Sequence, residues 1–580
     1  MEYAIIRSRE QALPHVDRLL ASKVMAVDLE TTGLDPHRDR IRLIQLAVPD
    51  SPVMIFDCSS FLPLGADLMK TVLESPSVKV LHNAKFDMQF LFPLGIELPK
   101  VFDTMLAAQL LRSSGGPARA GLGAVAAHYL GETLDKAEQK GDWAASELRK
   151  EQLEYAAKDA EVLLRLREEM LPLIYQNRLE HIAKIEFDCV KAIAKLEYNG
   201  IYLDSARWQE LCAEAEKAQA QALEQLRAYA GQSFYQLTLW GDEIALNAAN
   251  FDSNPFVLSL LKRNGINVPS TDRRHLSAYA AHPLVQALSE YRKSTKALSA
   301  FLHPIPSFIN PATGRLHPKY GQIGASSGRM SCGNPNIQQI PREPAFRRCF
   351  CAPPGKKLII ADYSQIELRV AACISKDRRM MQAYRNGEDL HALTASLLSG
   401  VPAGAVTKAQ RQAAKAVNFG LIFGMGAAGL AAYAQQSYGV QMTLEEAEQF
   451  RNGFFRAYPG IARWHRQIRE LSPTEERTLT GRKFVFRKNA GLSGLCNTPV
   501  QGSAADIAKA ALGELNSRLI GTGIKLIAIV HDEILLEADE ADAAAAAALL
   551  QSTMERAGER ILQDIPCAAE VKIADDWSGK

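Results

Sequence analysis

The sequence lacks the features of exported, membrane-spanning and disulfide-bonded proteins. Its first ten residues, MEYAIIRSRE, do not form the pattern of a signal peptide. The alanine-rich stretch 543–550 is far shorter than the ~20 apolar residues that a membrane-spanning helix requires. The nine cysteines include no CxxC pair and no Cys/His cluster, so we expect reduced thiols rather than disulfides or a zinc site. We therefore expect a cytoplasmic protein with no membrane partner.

The sequence also has little net charge. Its formal charge is +2, with 47% hydrophobic and 23% charged residues, which is typical of an ordinary globular protein. A surface that binds a polyanion such as nucleic acid must therefore be local. The length of 580 residues is too great for one hydrophobic core and predicts about three to five domains.

Residues 1–175 alternate short apolar runs with helical patterns. This alternation predicts an α/β unit with a mixed sheet. We expect strands at 24–32, 41–48, 53–57 and 78–83, and helices at 104–111 and 151–171.

Beyond residue 180 the pattern changes twice. From about 180 to 300 it is long and helical, and the stretch 281–301 carries Arg292, Lys293 and Lys296. That basic stretch is typical of a solvated helix face, and contact with a nucleic-acid backbone is the alternative. The remainder predicts a sheet interrupted by helices: a strand at 356–364, helices at 405–435, 443–471 and 499–520, an irregular basic segment at 476–490, and a hairpin with strands at 524–530 and from 534 onward.

Four carboxylates and a tyrosine are placed to meet at one end of the N-terminal sheet. Asp28 and Glu30 are two residues apart on a strand and therefore share a face. Asp87 follows another strand, while Tyr155 and Asp159 are four residues apart on one helix surface. Such carboxylates repel each other unless cations neutralise them, so the pattern predicts a site for two hard divalent metals.

The order of the motifs in this region resembles the DEDD 3′–5′ exonucleases of the tyrosine-containing subtype. The segments are DLETTGLD, HNAKFD, FDTMLAAQLL and YAAKD. The resemblance implies an RNase H-like domain that hydrolyses a single-stranded DNA 3′ end. It also implies that Tyr155 orients the attacking water and that the metals are bound by Asp28, Glu30, Asp87 and Asp159.

A second set of candidate residues lies in the C-terminal half. Asp362 follows an apolar strand, where a lone aspartate is often only a helix N-cap. Downstream, a helix carries a stripe of two cations and two rings, spaced four residues apart: Arg411, Lys415, Phe419 and Phe423. The stripe is consistent with two structures. Either the cations are solvated and the rings pack in the core, or the cations bind a triphosphate while the rings stack on a base.

The stretch AIVHDEILLE, residues 528–537, places His531, Asp532 and Glu533 at the tip of an apolar hairpin. Adjacent carboxylates at a buried turn repel each other. Alone the stretch reads as an unusual charged turn. The family resemblance given in the next paragraph implies that, together with Asp362, it forms half of a metal site in which Asp532 faces the metals and Glu533 is not an obligatory ligand.

Seven segments between about 185 and 580 occur in the order found in family A DNA polymerases, which this part of the chain resembles. They are SGRMSCGNPNIQQIP, DYSQIELR, DLHALTAS, RQAAKAVNFGLIFG, FFRAYPGI, NTPVQGSAADIAK and VHDE. The resemblance implies a multidomain α/β and α+β fold, in which a right-hand polymerase with an antiparallel palm sheet follows the exonuclease. The implied domains are an exonuclease at 1–178, a thumb at 179–309, a palm at 310–404 and 477–580, and fingers at 405–476.

The resemblance further implies a proofreading, DNA-templated DNA polymerase that acts in replication or repair as a monomer on primer–template DNA and dNTPs. Each active site would hold two Mg²⁺ ions, replaceable by Mn²⁺, with Asp362, Tyr363 and Asp532 as ligands in the polymerase site. Lys415 would protonate the pyrophosphate, and Glu367 would exclude ribonucleotides. The implied nucleotide-binding residues are Arg411, Lys415, Phe419, Phe423, His391, Glu367 and Gln365. The implied DNA-binding residues are Arg329, Asn336, Gln338, Asn497, Gln501, His531, Arg292, Lys293 and Lys296.

Two positions carry specific expectations. Phe423 stands where the family usually has tyrosine, which predicts a modest effect on fidelity or nucleotide affinity, and Phe419 implies discrimination against 3′-deoxy terminators. A layout without a 5′-nuclease domain favours a phage replicative enzyme in an infected bacterial cell over a host repair enzyme. The competing readings are a nuclease whose second half only binds nucleic acid, and a non-catalytic scaffold; the intact carboxylates at both sites disfavour them.

Overall fold

The computed structural model describes residues 2–579 except 136, 232–233, 238–241, 247 and 488–489. Within these residues no helix is long and apolar enough to cross a membrane. All nine cysteines are free thiols.

The N-terminal unit is built on a six-stranded mixed sheet in the order β1-β4-β3-β2-β5-β6. Its strands are β1 Tyr3–Ile6, β2 Val24–Thr31, β3 Ile41–Ala47, β4 Val53–Asp57, β5 Val78–Leu81 and β6 Val101–Asp103. Its helices are α1 Arg9–Ala21, α2 Cys58–Leu73, α3 Lys85–Leu91, α4 Thr104–Leu111, α5 Leu122–Leu130 and α6 Lys150–Gln176. Strand β3 is antiparallel to both neighbours and the other pairs are parallel, which confirms the predicted mixed sheet.

A mainly helical segment follows. It contains α7 Glu180–Asn199, β7 Ile201–Tyr202, α8 Ser205–Ala230, the hairpin β8 Phe234–Leu237 and β9 Glu243–Leu246, α9 Asn254–Arg263, α10 Arg273–Leu276, α11 Pro283–Ala297 and a π-helix at Leu298–Leu302. The end of α8 packs with α9 and α11 around a separate small core that includes Leu226, Leu261 and Leu288.

The chain then forms short strands and helices that lead into a central palm strand. These are β10 Ile309–Asn310, β11 Arg315–Leu316, β12 Lys319–Gly321, β13 Ser331–Gly333, α12 Pro344–Arg347, β14 Lys356–Tyr363, α13 Ile366–Ser375, α14 Arg378–Arg385 and α15 Leu390–Ser399. Strand β7, from the helical segment, pairs with β11, so the two regions share a small sheet.

Four consecutive helices come next, and the last strands and two further α-helices complete the described chain. The helices are α16 Lys408–Ile422, α17 Ala427–Tyr438, α18 Leu444–Ala457 and α19 Pro459–Leu471. After them come β15 Glu475–Arg477, β16 Lys483–Val485, α20 Leu492–Arg518, β17 Lys525–Val530, β18 Glu533–Asp539, α21 Ala543–Leu562 and β19 Ala569–Ala574. Strands β17-β18-β14-β19 form an antiparallel four-stranded sheet, as the palm prediction requires.

Four element predictions need correction. Each long helix predicted between 405 and 471 is two helices, because Gly424 adopts a left-handed conformation and Pro459 starts a new helix. The segment predicted as irregular contains the β15–β16 hairpin, which ion pairs from Glu475 to Arg477 and Lys483 stabilise. Helix α20 begins at Leu492, so Pro499 lies in its interior. The domain limits at 178, 309, 404 and 476 stay predictions, and the last of them falls inside β15.

A buried network of four charges joins α7 to the palm. Arg482 forms an ion pair with Glu186 of α7 and donates at 2.9 Å from Nε to Oδ1 of Asp506 in α20. Lys509 Nζ donates to Glu186 Oε1 at 2.6 Å and to the carbonyl of Gly328 at 2.8 Å. Burial acts to raise the pKa of Glu186, but Lys509 and Arg482 outweigh it and lower that pKa. All four side chains are almost fully buried, so each depends on its partners.

We expect Arg482→Met to destabilise the C-terminal half strongly, because it leaves Glu186 and Asp506 under-compensated in the interior. Removing one partner of a buried ion pair typically costs about 3–5 kcal/mol. For a unit of roughly 400 residues this would lower the thermal midpoint by roughly 4–6 °C. Differential scanning calorimetry measures the shift. Arg9→Met, which breaks the exposed Arg9–Asp67 pair, is the control and should change the midpoint by less than about 1 °C. Equal shifts in the two variants would contradict the assigned role.

Candidate active sites

The N-terminal acidic residues lie where β2 meets α3 and α6. Asp28 and Glu30 project from the same face of β2, while Leu29 between them is buried on the other side. Asp87 lies in the first turn of α3, which follows β5, the parallel neighbour of β2. Asp159 lies on α6 and is 9% exposed. The structure thus brings the four predicted carboxylates to one end of the sheet.

The pKa shifts of these acids show that they interact. Burial raises the pKa of Asp28 well above its ordinary value, and the charges on Glu30, Asp159 and Asp87 raise it further. Burial, then Asp159 and Asp87, raise the pKa of Glu30 to about 9. Burial also raises the pKa of Asp159 to about 6, although a hydrogen bond donated by the Tyr155 hydroxyl opposes the shift. The four carboxylates and the phenol therefore face one space.

Asp103 is a buried acid near this site that the sequence analysis did not single out. It caps α4 and accepts hydrogen bonds from the backbone N–H groups of Asn83 at 3.2 Å and Ala84 at 2.8 Å. It therefore fixes the turn that leads into α3 and Asp87. The sequence FDT could have identified Asp103 as a capping residue, because an aspartate between a strand and a helix is typical of an N-cap.

The donor set of this site fits hard divalent cations. It consists only of carboxylate oxygens, which are the ligands that Mg²⁺ and Mn²⁺ prefer. The raised pKa values follow from burial and mutual repulsion, and a divalent cation among the acids would relieve the repulsion.

The second site lies at the end of the palm sheet. Asp362 is the penultimate residue of β14 and pairs in register with Glu533 of β18. His531 and Asp532 form the turn between β17 and β18, with His531 in a left-handed conformation at φ 62°. Asp362, His531 and Asp532 line a cavity of about 260 Å³. The helix-cap alternative for Asp362 is wrong, because α13 begins at Ile366 with Gln365 as its N-cap.

The side chain of Glu533 is held by the C-terminal segment. The Trp577 indole N–H donates a hydrogen bond to Glu533 Oε1, and Arg347 Nη1 lies 3.5 Å from the same oxygen. The Arg347 guanidinium also lies 4.4 Å from the centre of the Trp577 ring. Glu533 is 3% exposed, and these contacts give it a structural role in anchoring the chain end to β18.

A second cavity, of about 310 Å³, adjoins the first and is lined by Arg329, Gln338, Glu367, His531 and Asp532. Arg329 and Glu367 form a charge-assisted hydrogen bond across it. Burial raises the pKa of Glu367, and the charge on Arg329 opposes this. Glu367 lies in the first turn of α13, just past Asp362 in sequence.

The predicted stripe on α16 forms as expected. Arg411, Lys415, Phe419 and Phe423 are all partly exposed, while the side chains of Ala414 and 416–418 are buried. Arg411 pairs with Asp389 at 2.6 Å, and Lys415 Nζ lies 5.9 Å from the centre of the Tyr438 ring.

His391 lies beside this stripe as a neutral group. Its Nδ1 accepts a hydrogen bond from Asn418 at 2.9 Å, which leaves the proton on Nε2. Burial lowers the pKa of His391 to about 4; Asp389 opposes the shift, while Arg411 and Lys415 add to it. His391 therefore offers a hydrogen-bond donor rather than a charge.

Two predicted site residues near the start of α13 have side chains that bond to other parts of the chain. They are Tyr363, a predicted metal ligand at the end of β14, and Gln365, a predicted nucleotide-binding residue. The Tyr363 hydroxyl donates to the carbonyl of Met554 at 2.8 Å, which leaves its backbone carbonyl as the group available to a metal. Gln365 accepts a hydrogen bond from the Tyr384 hydroxyl at 3.2 Å.

The predicted DNA-binding residues fall into two groups. Along the palm, four are partly exposed: Asn336, Gln338, Asn497 and Gln501. In α11, Lys293 and Lys296 are exposed, but Arg292 donates hydrogen bonds to Thr271 O at 2.7 Å and Asn254 Oδ1 at 3.2 Å. Arg292 therefore ties α11 to Thr271 and to the start of α9, and its role as a DNA contact stays a prediction.

Comparisons with known proteins agree with this geometry. The family profile for DNA polymerase family A matches residues 209–579, and the 3′–5′ exonuclease profile matches residues 3–174. DNA polymerase I of Aquifex aeolicus is 34% identical over the full length of both chains. DNA polymerase I of Chloroflexus aurantiacus is 33% identical, and the match covers 99% of this chain and 63% of that protein.

The fold also matches a solved structure. It is the POL domain of Pol1 from M. smegmatis, in complex with DNA primer-template and dNTP, with a TM-score of 0.82, 24% identity and full coverage of both chains. That likeness supports the right-hand polymerase fold. From the family profiles and the full-length relative, this chain belongs to DNA polymerase family A and is a DNA-directed DNA polymerase with a 3′–5′ exonuclease domain.

Proposed function

We propose that the palm cavities form the nucleotide-addition site and that the N-terminal acids form a separate proofreading site. The observation that carries this is the pairing of β14 with β18, which brings Asp362 and Asp532 to one cavity. Asp28, Glu30, Asp87 and Asp159 converge on another sheet. Each site has its own acidic residues, so one chain can extend a primer and remove a mispaired 3′ nucleotide.

Each site would hold two Mg²⁺ ions. Mn²⁺ would serve as a substitute because it prefers the same oxygen ligands. In the palm the holders are Asp362, Asp532 and the backbone carbonyl of Tyr363. In the exonuclease they are Asp28, Glu30, Asp87 and Asp159. When bound, the cations would lower the pKa of the attacking hydroxyl or water and neutralise phosphate charge.

The stripe on α16 would bind the incoming dNTP. Arg411 and Lys415 would supply charge to the triphosphate, and His391 a hydrogen bond from Nε2. Lys415 Nζ would donate a proton to the departing pyrophosphate, while the rings of Phe419 and Phe423 would pack against the base and sugar.

The Arg329–Glu367 pair would define the sugar pocket. Glu367 is anchored by Arg329 at the edge of the cavity, where its carboxylate would leave no space for a ribose 2′-hydroxyl. Gln365 would act indirectly, because its side chain at the start of α13 accepts a hydrogen bond from Tyr384 of α14. This arrangement favours dNTPs over ribonucleotides.

The DNA would contact both the palm and the helical segment. Asn336, Gln338, Asn497 and Gln501 would donate to minor-groove acceptors common to all base pairs, and His531 would lie near the primer end. Arg329 would reach the same region. Lys293 and Lys296 would contact phosphates.

A single-stranded 3′ end would enter the exonuclease site. There the Tyr155 hydroxyl, already hydrogen-bonded to Asp159, would orient the attacking water. We further propose that the enzyme acts as a cytoplasmic monomer in replication or repair. Its origin in a phage stays a prediction, and the relatives described above are bacterial.

Separation-of-function variants test the two-site proposal. Asp532→Ala should reduce primer extension by at least about 1,000-fold while mismatched 3′ ends are still removed, because the change affects only the palm site. Asp28→Ala with Glu30→Ala should have the opposite effect. Primer extension and 3′-end digestion on gels, with Mg²⁺ present, measure both activities.

Asp67→Ala, an exposed acid in the exonuclease half, is the control and should leave both activities intact. If either active-site variant lost both activities equally while it remained folded, the two sites would not be independent. If the C-terminal half only bound nucleic acid, the wild-type protein would show no primer extension.

The raised pKa of Glu30 predicts how stability depends on pH without metal. The folded state holds a proton on Glu30 up to about pH 9, whereas the unfolded state releases it near pH 4.3. Between these values the folded state binds more protons, so this group contributes less stability as the pH rises. In EDTA, Glu30→Gln should therefore melt several degrees above wild type at about pH 9, and the gain should shrink toward about pH 4.

Scanning calorimetry at matched pH values gives the comparison. Added Mg²⁺ should remove most of the wild-type deficit at high pH, because the cation replaces the proton among the acids. A Glu30→Gln gain that is independent of pH would contradict the proposed repulsion.

A further inference from the structure

A third group of metal-ligating side chains lies in the helical segment, apart from both acidic sites. Cys212 and Glu216 occupy consecutive turns of α8, and His303 follows the π-helix Leu298–Leu302. Their ligand atoms all lie within 4.8 Å of one another. Among the residues that the structure describes, no other set of three or more His, Cys, Asp or Glu side chains meets this limit.

The distances within this group match the edges of a tetrahedral zinc site. His303 Nε2 lies 3.1 Å from Glu216 Oε1, and Cys212 Sγ lies 3.8 Å from the same oxygen. Zinc bonds of about 2.0–2.1 Å to nitrogen and oxygen and 2.3 Å to sulfur give tetrahedral edges of roughly 3.4 Å and 3.6 Å. Small side-chain movements would therefore place all three atoms around one ion.

The backbone around the group is fixed on both sides. On α8, Trp208, Cys212, Glu216 and Gln219 form one stripe that faces α11 and the π-helix. At one end the Trp208 indole donates to Leu302 O at 3.0 Å, and at the other Gln219 Nε2 donates to Thr295 Oγ1 at 2.8 Å. These bonds hold α8 at a set distance from the chain that carries His303.

The π-helix supplies a second, independent sign of a site. π turns are rare and are frequently found at functional sites, and this one ends at the residue before His303. Because its hydrogen bonds join residues i and i+5 rather than i and i+4, it changes the direction of the side chains that follow it. The wider turn therefore contributes to aiming His303 at α8.

The chemistry of the donors selects the class of metal. A thiolate, an imidazole and a carboxylate suit zinc and its neighbours in the transition series, whereas Mg²⁺ and Ca²⁺ require oxygen ligands. The side chains of His303 and Glu216 are 56% and 57% exposed, so solvent can supply a fourth ligand. The site therefore differs from the two carboxylate sites in ligand type and in metal preference.

We propose that Cys212, Glu216 and His303 form a three-ligand site for a divalent transition metal of the zinc class, which cross-links α8 to the chain after α11. On binding, the Cys212 thiol loses its proton to solvent, and neutral His303 and ionised Glu216 each give one lone pair. The metal replaces the direct contacts that the Glu216 carboxylate makes with the other two side chains. Because the link lies at the base of the segment that carries Lys293 and Lys296, it restricts the angle of that segment.

Cobalt(II) titration of the full-length protein tests the proposal. Thiolate coordination produces an intense ligand-to-metal charge-transfer band in the near ultraviolet, which carboxylate sites do not give. We expect this band to saturate at one cobalt per chain and to disappear when zinc is added. Cys212→Ser should abolish the band. His303→Ala should weaken cobalt binding by at least about 10- to 100-fold, the loss that removing even a hydrogen-bond partner of a metal ligand causes.

Cys351→Ser and Cys373→Ser are matched controls, because these two thiols are also partly exposed. Both should retain the band with unchanged affinity. Failure of the band to form at stoichiometric cobalt, or its persistence in Cys212→Ser, would overturn the assignment. Mg²⁺-dependent primer extension by Cys212→Ser should equal that of wild type, since the site holds neither substrate nor catalytic metal.

Discussion

The register of β14 against β18 determines the arrangement of the polymerase site. Asp362 pairs with Glu533, so Asp532 lies in the turn one residue before the pairing begins. A slip of one residue would turn the side chains of β18 to the opposite faces of the sheet and would move Asp532 relative to Asp362. The apolar residues of both strands are fully buried, which fixes the register through the core of the palm.

The same principle organises both acidic sites. In each, an apolar strand packed in the core presents an acid near its end. In the exonuclease site the acids repel one another, and burial strengthens the repulsion. The exonuclease site shows the effect in the raised pKa values of Asp28 and Glu30. Bringing these acids together therefore lowers the free energy of unfolding. Divalent cations would remove that penalty, so the stability of the exonuclease site is linked to metal binding.

Local patterns were sufficient to predict the elements that carry the sites. The strands with Asp28 and Asp362, the helix with Tyr155 and Asp159, and the stripe from Arg411 to Phe423 agree with the structure, because periodicity determines which face a residue occupies. The contacts that join distant segments were not predictable. Glu186 and Arg482 are far apart in sequence, as are Cys212 and His303, and no local pattern links them. The hydrogen bonds of Arg292 were not predictable for the same reason, because Thr271 lies in a loop and Asn254 at the start of α9.

The adjacent carboxylates Asp532 and Glu533 have different roles, and a comparison of their amide variants tests this most directly. Asp532→Asn and Glu533→Gln differ by one position and each removes one charge. Asp532→Asn should reduce the single-turnover rate of nucleotide addition by at least about 1,000-fold. Glu533→Gln, whose side-chain oxygen can still accept from Trp577, should keep that rate within about tenfold and mainly lower the thermal midpoint. A folded Glu533→Gln enzyme as inactive as Asp532→Asn would contradict the account.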